Sequence, residues 1–468
     1  MNTRSISLAA IPSIKIHPHR ATPARQQRRW LATATRTVTA IALAAVSCSA
    51  ARAEVTAPAA LEPWLGKHTP QLTQFYKQLH QAPELSFAEE QTAATMAGQL
   101  RSLGFDVTEQ VGGHGVVGVL HNGDGPTLLL RADMDALPVV EQTGLDYASQ
   151  VRVRDDRGAT VGVMHACGHD MHLTMHLGAV RYLVEHKEEW SGTLIAMLQP
   201  AEERGAGAKA MLADGLFGRF PRPDFALALH VAGDKPPTQI WYRAGYAMAN
   251  VDSVDITIHG RGGHGSAPDT TIDPIVIAAR LVLDLQTIVA REIKPIEPAV
   301  VTVGSIHGGA KHNIIPDSCA LQLTVRSYTP AVREQLIAAI RRKANAAAES
   351  AAAPAPDIQV SEGTPALFND PAVAERVIPA VRAAIGEENV VQDEPSMGGE
   401  DFGRLGRAGV PILMMRVGSV SQQRLDEYAQ ADGPPSLHSS KYWPDPEPTI
   451  RTGVTATVTA ALELFGAP

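Results

Sequence analysis

Short, almost unbroken apolar runs recur along the chain at "GVVGVLH" (115–121), "TLLLRAD" (127–133), "GTLIAMLQP" (192–200), "DFALALHV" (224–231) and "PILMMRVGS" (411–419). Runs of this length, bounded by Gly, Pro and Asp, predict strands buried on both faces. Between and around them lie stretches with helical spacing. These cover 61–82, "AEEQTAATMAGQLRSLGF" (88–105) with a glycine stop, "MHLTMHLGAVRYLVEHKEEW" (171–190) after Asp170 as its expected N-cap, "AVAERVIPAVRAAIG" (372–386), and a last helix over 449–465. Buried strands alternating with helices predict an α/β layer fold.

The middle of the chain keeps a different rhythm. "VDSVDITIHG" (251–260) alternates apolar and polar like a half-exposed strand, and "DPIVIAARLVLDLQTIVARE" (273–292) is a helix capped by Asp273 with Pro274 in its first turn. Strands at 299–308 and 319–327, a second capped helix at 329–350 and a strand around 357–363 complete the order β-α-β-β-α-β, which is ferredoxin-like. The expected organisation is therefore a leader (1–53), a first part of the main domain (54–248), an inserted α+β domain (249–361) and a second part of the main domain (362–468).

Composition changes the picture mainly at the start. With 44% hydrophobic and 19% charged residues in 468, the chain reads as an ordinary globular protein. Its first 53 residues, however, hold eight Lys/Arg and no Asp/Glu, then an apolar run "TVTAIALAAVSCSA" (37–50) ending in "ARA" (51–53). A basic leader, a short apolar core and a small-x-small exit predict an export signal and a periplasmic or secreted product; "RRWLAT" (28–33) leaves the twin-arginine and general routes equally open. Removing those eight from the 41 basic residues leaves 33 against 49 acidic ones, a net charge of −16. That balance excludes nucleic acid and anionic membranes as natural partners. Only Cys167 and Cys319 remain beyond the leader, too few for a disulfide framework.

The candidate chemistry centres on "HACGHDMH" (165–172), with three histidines, a cysteine and an aspartate in eight positions. In an open α/β sheet functional residues gather at the carboxyl ends of strands. Those ends carry Asp133 and Asp135 in "RADMDALP", Glu202 and Glu203 in "QPAEER", and His230 in "LALHV"; His438 lies in the loop "PSLHSSKY". Singly, each is more often a surface or packed residue. Their recurrence around a Cys-x-His points to a metal centre. His172 and His176, four apart on one helix, mimic a zinc-binding pair, but the apolar spacing around them suits a packed helix. Cys319, within a strand, reads as core.

Taken in order, "RADMDALP", "HACGHDMH", "QPAEE", "GRGGHGSAPD", "NIIPDS" and "GGEDF" closely resemble the dinuclear-metal aminoacylase/carboxypeptidase family, and within it the hippurate hydrolase and indole-acetyl-amino-acid hydrolase branch. The resemblance spans about residues 60–465. It implies a three-layer α/β/α catalytic domain whose insert serves as lid and dimerisation domain, giving a homodimer or higher homo-oligomer. Two divalent ions per subunit are implied. Zinc is favoured by the mixed thiolate, imidazole and carboxylate donors, with manganese, cobalt and nickel as alternatives. Cys167 would bridge both ions, His169 and His230 would complete one, and Glu203 and His438 the other. Asp135 would support a ligand, and His165 would stand outside the donor set. Asp133 occupies a place where many relatives have a metal-binding histidine. Glu202 would act as general base and acid, and His264 would stabilise the oxyanion from the partner subunit. Asn313 and Arg326 would contact the substrate, Arg326 through its carboxylate. The loop after His264 departs from the family's commoner alanine-methionine-proline ending.

The expected activity is hydrolysis of N-acyl amino acids or, through the same centre, of short peptides as a dipeptidase or carboxypeptidase. A non-catalytic metal-binding envelope protein would need ligands but no spare base such as Glu202. A redox protein built on Cys167 would lack a nearby resolving cysteine.

Overall fold

The computed structural model describes residues 57–155, 158–431 and 433–466, so the expected leader (1–53) lies outside the described residues. The main sheet has eight strands in the spatial order Asp106–Val111, Gly115–Asn122, Gly192–Gln199, Thr127–Asp133, Phe225–Ala232, Ile412–Gly418, Ile240–Tyr242 and Val390–Gln392. Its four central strands, Gly192–Gln199 through Ile412–Gly418, run parallel, while the flanking pairs bring antiparallel neighbours. The continuous apolar runs follow from burial on both faces. Leu128, Leu130, Leu194, Leu198, Leu227 and Leu229 pack into one core, and Leu129, Ile195, Met197, Ala226 and Ala228, alternating with them, into another.

The first face carries the long helices Leu61–Gln81, His169–Glu185, Pro371–Ile385 and Pro446–Phe465. The second is thinner, covered by short helices such as Gly207–Ala213 and Gly403–Arg407. This is the three-layer α/β/α arrangement. Two helix starts differ from expectation. Gly168, not Asp170, is the N-cap of His169–Glu185, and the Asp170 carboxylate instead accepts from the Met171 N–H and from His80. The last helix begins at Pro446, where proline suits a first turn, three residues before the expected 449.

The insert folds on its own core. Its antiparallel sheet has the order Ala299–Gly308, Ser318–Ser327, Asn250–His259, Asp357–Thr364, with helices Pro274–Arg291 and Pro330–Ser350 on one face. That is the ferredoxin-like order, and the final strand ends at Thr364, one residue past the expected 363. Asp273 and Thr329 cap the two helices through their side chains. Among the described residues no helix is long and apolar enough to cross a membrane.

Candidate metal centre

Parallel register brings the candidate residues together: Asp133 lies opposite Gln199, and His230 opposite Arg416, at the carboxyl edge of the sheet. "HACGHDMH" turns over this edge at Gly168. Its φ of 78° is left-handed, and a Cβ there would stand 2.7 Å from Val231 Cγ2, so only glycine fits. The turn lets Cys167 and His169 face the same space. Donor atoms of Cys167, His169 and His230 lie within 4.8 Å of one another, and so do those of Cys167, Glu203 and His438. Cys167 belongs to both groups. Its Sγ is 3.6 Å from His230 Nε2, and His438 Nε2 is 3.4 Å from Glu203 Oε1.

The glutamates sit on a turn gripped from below. Asp135 accepts from the backbone N–H groups of both Glu202 (3.1 Å) and Glu203 (3.0 Å), and from the Ser86 hydroxyl (2.6 Å). Its other neighbour is His169 Nδ1, at 3.2 Å. The preceding residue, Ala201, is left-handed at φ 49°. Its N–H donates to buried Glu89 Oε1 at 2.8 Å, an oxygen that also receives the N–H of Phe87, another left-handed residue at φ 63°. Two buried carboxylates thus hold three consecutive amides under the glutamate pair.

The electrostatics call for cations. Burial pushes the Cys167 thiol well above its ordinary pKa, and burial with Glu400, Asp401 and Glu203 does the same to Glu202. Glu203 is pushed up to about 7, mainly by burial. Burial pulls His230 well down, leaving it neutral with a free ring lone pair. His230 Nδ1 lies 2.7 Å from the Val231 carbonyl oxygen, which fixes the proton on Nδ1 and turns Nε2 toward Cys167. Glu203 Oε1 and His169 Nε2 are buried without a hydrogen-bond partner. Burial lowers the His438 pKa, while at His169 burial is outweighed by the neighbouring Asp133 and Asp135, which raise it, so a positive charge is favoured there. Orphaned donor atoms, a thiol and carboxyls that burial alone would protonate, and a site that favours positive charge form a set that two divalent ions satisfy.

Other predicted residues fall outside this set. His172 Nδ1 bonds to Asp133 (2.6 Å) while its Nε2 accepts the Val231 N–H (2.8 Å), so both nitrogens are used. Asp133 is hydrogen-bonded by both Arg131 and His172, so we assign it to support although its atoms lie near His169. His176 donates to the Leu130 carbonyl, and no zinc pair forms with His172. His165 is buried with both ring nitrogens unpartnered, its pKa pulled down to about 4 by burial. His264 and Asn313 are exposed at the lid tip, where Gly265 N–H donates to the Asn313 carbonyl and His264 Nδ1 bonds Ser266 Oγ at 2.7 Å. Arg326 reaches from the lid sheet to the Met397 carbonyl (2.7 Å). Cys319 is buried in the lid core.

Sequence reasoning missed three supports. Glu89 carried no signal beyond its place at a helix start. Arg131, which binds Gln199, Asp133 and Glu400, was visible as the one basic residue inside "TLLLRAD". His80, held between Asp170 (2.6 Å) and Glu141 (3.1 Å), looked like one polar residue among many.

The family model described as Peptidase family M20/M25/M40 matches residues 129–433. Thermostable carboxypeptidase 2 of Saccharolobus solfataricus is 35% identical over 396 residues, covering 84% of this chain and 95% of that protein. Hippurate hydrolase of Campylobacter jejuni is 37% identical over 332 residues, 70% of this chain and 82% of that protein. The crystal structure of a Bacillus subtilis protein, described as a dinuclear metal binding peptidase from the M20 family, superposes with a TM-score of 0.68 at 27% identity, covering 86% of this chain and 99% of that one.

Proposed function

The chain belongs to peptidase family M20/M25/M40 and is a metal-dependent amidohydrolase with two metal ions, and we propose that it hydrolyses N-acyl amino acids, R–CO–NH–CHR′–COO⁻. The observation that carries this reading is Cys167, common to two donor groups, with a second carboxylate, Glu202, beside the one that completes a group. Cys167, His169 and His230 would hold one ion, and Cys167, Glu203 and His438 the other. Zinc suits these donors best. When bound, the ions polarise the amide carbonyl and lower the pKa of water.

Glu202 takes the proton from the attacking water as its oxygen bonds to the amide carbon. It then delivers that proton to the nitrogen as the C–N bond breaks, and the new carboxylic acid gives its own proton to the freed amine, leaving a carboxylate and a free amino acid. Asp135 orients His169 and fixes both glutamates from behind. His264 stabilises the negative oxygen, Arg326 exchanges its Met397 contact for the substrate carboxylate, and Asn313 adds a further polar contact.

Exposure of the lid supports a dimer in which His264 serves the partner's site. Among the described residues, seven of the ten exposed large hydrophobic residues lie on the lid, including Val276, Leu283, Ile306 and Ile314. The strand Ala299–Gly308 leaves one edge of the lid sheet open to pairing with a second copy. The basic and apolar leader supports export before the enzyme works.

The relative named as a carboxypeptidase favours a second reading, cleavage of short peptides at the same centre. A hydrolysis screen over N-acyl amino acids and dipeptides, with metal analysis of the same preparation, decides between them. Turnover of acyl amino acids at two zinc per chain is expected, and turnover of dipeptides alone would replace the first reading with the second.

A further inference from the structure

Beside His230, on the thin face of the main sheet, lies a cavity of about 180 Å³. Trp241, Ala247, Met248, Met414 and Leu437 form much of its wall together with His230. Leu437 precedes His438, so the wall is continuous with one residue from each metal-binding group. The charges around it are engaged: Arg416 pairs with Asp393 at 2.9 Å, and Arg243 donates to the Asp393 carbonyl at 3.4 Å. Glu394 stands exposed among the lining residues.

We infer that this cavity receives the acyl group R, that R is apolar and about the size of one aromatic ring, and that Ala247 and Trp241 set its size limit. The inference rests on the reading of the site as an N-acyl-amino-acid hydrolase. An apolar cavity of about 150 Å³ accepts a benzene molecule, so this one has room for a phenyl group with little to spare. Its placement separates the two ends of the substrate. Arg326 and Asn313, the partners for the amino-acid end, belong to the lid. The cavity is built from main-sheet strands and from Gly245–Met248, the short strand leading into the lid. A carbonyl held at His230 and His438 therefore has its carboxylate-bearing side toward the lid and its R side toward the cavity. Both arginines among the lining residues are already engaged at Asp393, so neither is free to take a carboxylate there. Ala247 is the smallest of these wall residues, and a larger side chain would fill the space. Trp241 is the largest, braced by Lys235 Nζ 4.1 Å above its ring.

The test measures kcat/KM on two substrate series with the metal-loaded full enzyme. One series varies the acyl group on glycine through acetyl, succinyl, benzoyl and 2-naphthoyl. The other keeps acetyl and varies the amino acid. Wild type should prefer benzoylglycine over acetylglycine by at least about tenfold, the scale of filling an apolar pocket. Ala247→Phe should lower that benzoyl-to-acetyl ratio by about tenfold or more, and Trp241→Ala should shift preference toward 2-naphthoyl. The two variants act in opposite directions, so misfolding of one leaves the other decisive. Both ratios unchanged, succinyl preferred over benzoyl, or a shift confined to the amino-acid series would overturn the acyl assignment while leaving the hydrolase reading intact. A wild type that cleaves no acyl amino acid removes the hydrolase reading, and the inference with it.

Discussion

At the carboxyl edge of the main sheet Cys167, His169 and Glu202 are buried and the glutamate turn is held by its neighbours, with His438 the exposed member of the set, whereas at the lid tip His264 and Asn313 stand exposed on two adjoining loops. Asp135 alone receives two backbone N–H groups and a hydroxyl, and Asp133 is locked between Arg131 and His172. The hydrogen bonds of the His264 ring stay within its own loop. One half is preorganised for cations, and the other gains its role only when something approaches it. The contrast teaches where chemistry tolerates change: the metal half should fail by losing ions or geometry, the lid half by losing an encounter.

The largest expected effect comes from removing the residue common to both donor groups. Cys167→Ala should reduce bound metal from two ions per chain to none and abolish hydrolysis, whereas His438→Ala should weaken mainly one ion. Metal content per folded chain is the measurement, and a Cys167→Ala protein that keeps both ions would break the bridging assignment.

Glu202→Gln should keep fold and metal content yet lower kcat by at least ~10²-fold, the scale of a lost general base. Near-normal turnover would move the base elsewhere.

The lid half is tested by pairing two defects. His264→Ala should cost roughly 3 kcal/mol in the transition state, the scale of one lost oxyanion donor. Mixed with Glu202→Gln under subunit exchange, activity should return to about a quarter of wild type per total subunit, because half of randomly paired dimers are mixed and each mixed dimer holds one intact site of two. No recovery, with mixed dimers verified by mass, would place the histidine's action within its own chain.

A smaller effect tests the grip beneath the glutamates. Glu89→Ala should lower kcat by about tenfold with metal retained, since an unheld Ala201 leaves its left-handed conformation, which costs a non-glycine residue about 1–2 kcal/mol. Adding Ala201→Gly, which adopts that conformation unaided, should recover most of the loss.

The smallest effect lies away from the reaction. Burial opposes the charged form of His80, but the hydrogen bonds it donates to Asp170 and Glu141 hold its pKa at about 9, above the ordinary 6.5. A raised histidine pKa stabilises fully below about pH 6.5 and loses that contribution as pH rises through about 9. The stability gap between wild type and His80→Gln should therefore narrow over that window in denaturant titrations. A gap independent of pH would show that His80 is not protonated in the folded state.

Much was legible because local rules govern it. Periodicity of two or of 3.6 marks strands and helices, and Asp273 and Thr329 announce their helices by capping them. Glu203 and His230 stood out because strand ends in a parallel sheet face one edge, whereas the full set of five proposed metal-binding residues came from the family resemblance. Asp170 misled, since an aspartate before an apolar run looks like a cap, while the actual start is set by Gly168 packing against Val231.

The sequence by itself determined the element order, the inserted domain, the residue types able to bind metal, and the spare carboxylate beside one of them. Tertiary structure decided which of the clustered histidines keeps a free lone pair. His172 spends both nitrogens on Asp133 and the Val231 N–H, while His169 Nε2 and Glu203 Oε1 are left unpartnered. It also decided that Glu89, distant along the chain, lies under Ala201, and that a ring-sized cavity opens beside His230. The reason is one of range: propensity and periodicity act over a few residues, whereas hydrogen-bond partners, burial and empty volume are set by chain segments that meet only on folding.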